Sequence, residues 1–110
     1  MAISRLVEAA AHGGFGGLYA DETFRRLKAD PEDPNALFAL AAILGVSGLR
    51  PEAIHTLTIL AEVAPLYPGL WRFKARLYRE VGDELMAARC MEADKRFAGA
   101  EETLRRARRP

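Results

Sequence analysis

Leu37-Phe38-Ala39-Leu40-Ala41-Ala42-Ile43-Leu44-Gly45-Val46-Ser47-Gly48 is followed, 34 positions downstream, by Trp71-Arg72-Phe73-Lys74-Ala75-Arg76-Leu77-Tyr78-Arg79-Glu80-Val81-Gly82. Leu37, Leu40, Ala41, Leu44, Gly48, Ala53 and Leu57 in the first copy correspond to Trp71, Lys74, Ala75, Tyr78, Gly82, Ala87 and Met91 in the second. One pattern of bulky residue, small residue and glycine thus returns at a fixed interval, the sign of a repeated supersecondary unit. A helical hairpin cannot bury both of its faces alone. Small residues at 41, 53, 75 and 87 let neighbouring helices approach closely, and bulky ones at 37, 44, 71 and 78 fill the space between hairpins.

Reading outward in both directions gives helices and turns. Ile3 to Ala11 forms an alanine-rich first helix that stops in His12-Gly13-Gly14-Phe15-Gly16-Gly17, because each glycine costs about 1 kcal/mol relative to alanine in a helix. Ala20, Phe24 and Leu27 share one face of a second helix. Asp33 is placed to cap a third, with Pro34 in its first turn. That third helix, from about Asn35 to Val46, is apolar nearly all round and needs cover on several sides. Pro51 opens a fourth, Leu70 to Val81 is a fifth, and Asp83 caps a sixth running through Phe97. A separate closing helix is expected over 101–109, acidic early and arginine-rich late, as the helix dipole favours.

Bulk composition fits one small domain spanning 1–110. Half of the residues are hydrophobic (50%), which argues against a disordered chain. A formal net charge of +1 argues against a protein whose main task is coating nucleic acid. The single cysteine, Cys90, excludes an internal disulfide, and a reducing cytosol is the easiest fit. Glu8 interrupts the one apolar run near the amino end, so no secretory signal is expected. The stretch from Ala36 to Val46 is too short to cross a bilayer, so membrane insertion is not expected.

The 34-residue interval, with Trp71, Ala75 and Tyr78 followed by Ala87 and Met91, is similar to the tetratricopeptide motif. That resemblance implies an all-α, tetratricopeptide-like helical hairpin solenoid of about three repeats, over 1–33, 34–67 and 68–101, plus the closing helix. The first copy is degenerate, with Glu8 where a small residue is wanted. Carried over from the fold, the positions facing a concave groove are Arg5 and Ala9, then Phe38, Ala42 and Val46, then Arg72, Arg76 and Arg79. Such a groove is apolar in the middle and basic at its carboxyl end, and suits an amphipathic helix carrying some acidic side chains.

Leu6-Val7-Glu8-Ala9-Ala10, a glycine-containing turn, Tyr19, Glu22 and the segment Leu70 to Gly82 together resemble the small tetratricopeptide chaperones of the type III secretion needle subunit. The resemblance implies a cytosolic bacterial chaperone that holds the needle subunit's helix in the groove and prevents premature polymerisation. It also implies a small helical co-chaperone on the first hairpin, with Phe15, Leu18 and Tyr19 as its contacts. A general tetratricopeptide adaptor or assembly factor is the alternative reading.

Each site residue also has a plainer reading. Trp71 stands at a packing position of the repeat. Phe38 serves equally as groove anchor or inter-helix filler, and the helix-five arginines as a solvated face. Catalysis finds little support in the same residues. His12 and His55 lack metal-ligand spacing, the glycine-rich turn lacks the Lys-Ser/Thr of a phosphate loop, and Cys90 reads as a small buried hydrophobe. An enzyme, a metal, a cofactor and a small-molecule substrate are accordingly not expected. The arginine-rich tail lacks the interleaved aromatics of an RNA-binding segment.

Overall fold

The computed structural model describes residues 2–12 and 18–108, and among these the regular structure is all helical. Six helices follow in order: α1 (Ala2–His12), α2 (Leu18–Ala29), α3 (Pro34–Val46), α4 (Arg50–Val63), α5 (Leu70–Glu80) and α6 (Glu84–Ala107). Local chemistry sets their starts. The Asp33 carboxylate accepts from the Ala36 N–H at 3.2 Å and Pro34 occupies the first turn of α3. Asp83 does the same for α6, accepting from the Met86 N–H at 3.0 Å. Each bond satisfies a donor that the first helical turn leaves unpaired.

The two central turns close identically. After α3, Gly48 has φ +80°, the Leu49 N–H donates to Leu44 O at 2.9 Å, and the Gly48 N–H donates to Gly45 O at 3.1 Å. After α5, Gly82 has φ +85°, with Asp83 N–H to Tyr78 O at 2.8 Å and Gly82 N–H to Arg79 O at 3.0 Å. This is the paired closure of a left-handed helix end, which an L side chain resists. The spacing of the two glycines is therefore the spacing of one turn used twice. Between the two units, Gly69 (φ +82°) gives α5 its left-handed entry.

Packing centres on α3, which lies against α4, α2 and α1, while α5 packs against α6 and α4. Leu37, Leu40, Ile43 and Leu44 of α3 are completely buried, as are Leu57 and Leu60 of α4. Removing each such side chain from water contributes about 1.5–3 kcal/mol. The repeat positions Ala41, Ala53, Ala75 and Ala87 are all buried, as close helix approach demands. The described helices include none long and apolar enough to cross a membrane.

Both ends of the chain depart from a regular series. Rather than pairing closely with α2, α1 rests its buried Leu6 and Ala10 on the α3–α4 side, and Glu8 points to solvent. A hollow of about 540 Å³ remains between α1 and α2, floored by Ile3, Val7, Phe24 and Leu27. At the other end, the separate closing helix expected over 101–109 is absent, because α6 runs unbroken through Gly99 to Ala107. One glycine costs about 1 kcal/mol, too little to end a helix. The ion pairs of Glu102 with Arg105 (3.3 Å) and Arg106 (3.4 Å) support the far side. At 1.5 Å per residue, α6 overshoots α5 by about 20 Å.

Trp71 is a packing residue. Its indole stacks on Phe97 of α6 (centroids 5.4 Å apart, planes 5° off parallel), and its Nε1–H donates to Pro65 O at 2.9 Å. Lys74 stands at a buried repeat position with 8% exposure, its ammonium 5.4 Å from the Trp71 ring centre. Burial pushes the Lys74 pKa down, only partly offset by Cys90. Cys90 is itself buried, and desolvation raises its thiol pKa despite the Lys74 charge, the condition of an inert structural cysteine.

Chemical denaturation should find Gly48→Ala destabilised by about 1 kcal/mol or more, since Cβ meets no neighbour and the penalty is the positive φ alone. Ala53→Arg should abolish cooperative unfolding by driving a charge into a fully buried contact. Lys74→Met should stabilise by about 1 kcal/mol. Because the folded-state Lys74 pKa lies below the unfolded one, the folded chain binds fewer protons between the two values, so stability rises with pH across that interval. Lys74→Met should flatten that rise.

Candidate functional site

With three neighbours covering α3, one flank of it stays open toward α5. Ala42, Gly45 and Val46 line this flank, and Phe73, Arg76, Leu77 and Glu80 face them from α5, with Arg50 at the start of α4. The hollow between them measures about 430 Å³. Val46 is 70% exposed, the most exposed of the large apolar side chains in the described structure. Gly45 helps to open the space: a Cβ there would stand 3.6 Å from Phe73 Cζ and 3.9 Å from Leu77 Cδ2.

An aromatic layer closes the amino-terminal end of the groove. Phe38 lies 5.0 Å from the Tyr67 ring and 5.6 Å, edge to face, from Phe73. The Tyr67 hydroxyl donates to Asn35 Oδ1 at 2.7 Å, and burial raises its pKa. Phe38 therefore acts as a filler between α3, the α4–α5 connection and α5, and the groove proper begins at Ala42.

The opposite end carries charge. Arg50 Nε donates to Glu80 Oε1 at 3.0 Å, and Arg76 Nε lies 3.5 Å from Glu80 Oε2. The Arg50 hydrogen bond is the main reason the Glu80 carboxyl sits below its usual pKa, with the Arg50 and Arg76 charges adding to it. Two guanidinium groups share one carboxylate, so the rim keeps an excess positive charge. Arg76 also lies 5.8 Å from the Phe73 ring centre, a cation–π seat.

Of the side chains expected along the groove, Ala42, Val46 and Arg76 line one hollow. Arg72 and Arg79 turn toward α6, pairing with Asp94 at 3.2 Å and Glu84 at 3.9 Å. Among the three expected co-chaperone contacts, Phe15 and the Leu18 side chain lie outside the described residues. Tyr19 is 56% exposed and borders a smaller hollow shared with Asn35 and Ala39 of α3. Arg50 and Glu80 escaped the sequence reading because 30 positions separate them and no local pattern joins them. The Arg76–Glu80 spacing, one helical turn, was the available signal.

Among the described residues, no three His, Cys, Asp or Glu side chains are grouped to hold a metal ion. No known protein family matches the chain, and neither a curated protein nor a solved structure is similar to it.

Proposed function

We propose that this chain is a protein-binding module that holds an amphipathic helix of a partner in the groove between α3 and α5. The observation that carries the reading is Val46, a large apolar side chain left in water beside a hollow lined by Ala42, Gly45, Phe73 and Leu77. An apolar stripe with anchors at i, i+3, i+4 and i+7 fits such a surface. A helix is about 10–12 Å across with its side chains, so a hollow of about 430 Å³ takes inserted anchors while the partner's backbone stays above it. Charge selects the partner's flank: the rim arginines Arg50 and Arg76 favour acidic side chains.

In this reading α3–α4 and α5–α6 are two stacked tetratricopeptide-like hairpins, and their shared glycine turns support the assignment. α1 and α2 form a divergent amino-terminal cap. The most specific form rests on the sequence resemblance: a bacterial cytosolic chaperone that keeps a type III secretion needle subunit from polymerising. A small helical co-chaperone would then dock near Tyr19. A general adaptor for another complex uses the same groove.

Val46→Asp should weaken capture of an apolar–acidic helical peptide at least about ten-fold in a fluorescence titration, because it places a carboxylate in the apolar contact. Its helical circular dichroism and melting temperature should match the parent, since Val46 is exposed. Undiminished binding would remove the groove from the site. Phe38 is unsuited to this test, as its removal would disturb packing against Tyr67 and Phe73. Co-expression with a needle subunit separates the two forms: a soluble complex is expected of the chaperone, and unhindered subunit polymerisation leaves only the adaptor.

A further inference from the structure

We propose that Arg50 and Arg76 form a carboxylate-reading subsite at the groove mouth, occupied in the free protein by Glu80 and handed over to an acidic side chain of the docking helix. The inference rests on the groove reading and adds to it the group that sets the partner's register.

Geometry places the three side chains for exchange. Glu80 bridges the first turn of α4 and the last turn of α5, with Arg50 Nε at 3.0 Å from one oxygen and Arg76 Nε at 3.5 Å from the other. All three border the same hollow as Val46 and Phe73. Each guanidinium offers Glu80 its Nε, and its two terminal amino groups carry further donors in the planar fork that suits a carboxylate. Their side chains stay in contact with water, Arg76 at 72% exposure and Arg50 at 43%. Replacing one carboxylate by another therefore carries little added desolvation. Phe73 beneath Arg76 keeps that guanidinium seated during the exchange.

Spacing ties the subsite to the apolar anchors. On a helix, side chains three or four residues apart stand about 5–6 Å from each other. A partner that inserts an apolar anchor beside Val46 thus brings a residue one turn away to the rim. An acidic residue there meets two cations and one anion, a net attraction. A basic residue there is repelled. The pair of arginines consequently fixes which way along the groove an asymmetric helix lies.

Two synthetic helical peptides test this, identical in leucine anchors and differing only in a glutamate or a glutamine one turn from the central anchor. The parent protein should bind the glutamate peptide more tightly than its glutamine twin. Glu80→Gln, which keeps the shape and frees the cations, should tighten the glutamate peptide about three-fold and leave the twin unchanged. Arg50→Gln combined with Arg76→Gln should erase the difference between the twins. At about 1 M salt, where screening acts over about 3 Å, the difference should also shrink. Equal affinities for the twins, or an unchanged or weaker glutamate peptide with Glu80→Gln, would overturn the subsite while leaving the groove standing. If neither twin binds the parent protein, the groove reading falls and the subsite falls with it.

Discussion

Everything in this molecule follows from the need to keep α3 out of water. Leu37, Leu40, Ile43 and Leu44 project from more than one side of that helix, so no single partner can cover it. α4 covers it through a tight glycine turn, and α2 and α1 cover further sides. What remains is one flank where the residues are small or exposed: Ala42, Gly45 and Val46. The groove is thus the uncovered remainder of the core helix. Its apolar character is inherited from that core.

The second hairpin answers a different requirement. α5 and α6 pack chiefly on each other, with α4 and Phe38 of α3 set against α5, and their sequence is the more polar. Lys74 stands where the first copy has Leu40, and it is buried with its ammonium over the Trp71 ring. Arg72 and Asp94 join α5 to α6 at the surface. Exposed pairs of this kind contribute at most about 1 kcal/mol each, so the hairpin depends mainly on Leu70, Leu77, Ala75 and Ala87 for its packing.

The helices, their caps and the two glycine turns were legible in the sequence because each is set locally. Asp33 and Asp83 precede their helices by one residue, and Gly48 and Gly82 terminate theirs. Long-range packing was not legible in the same way. α1 carries apolar residues at helical spacing, but nothing in Leu6 or Ala10 says which helix they face, and the structure directs them to the α3–α4 side. Three of the eight residues that line the hollow, Ala42, Val46 and Arg76, are among the positions that the tetratricopeptide resemblance implies. Arg72 and Arg79 stand one helical turn either side of Arg76 yet pair elsewhere, because their partners Asp94 and Glu84 belong to α6. The far end of α6 differs in the opposite sense: a separate helix was expected over 101–109, whereas α6 runs on through Gly99, with intrahelical pairs of Glu102 beyond it.

Trp71 is the sequence's only tryptophan, and its indole touches three parts of the carboxyl-terminal half at once: its own helix, Phe97 and the carbonyl of Pro65. Its emission therefore senses water entry at that seam alone, whereas far-ultraviolet ellipticity sums over all helices. Coincident melting by both signals would mark an all-or-none polypeptide. A fluorescence change that precedes the loss of ellipticity would mark unravelling that begins at the α5–α6 hairpin.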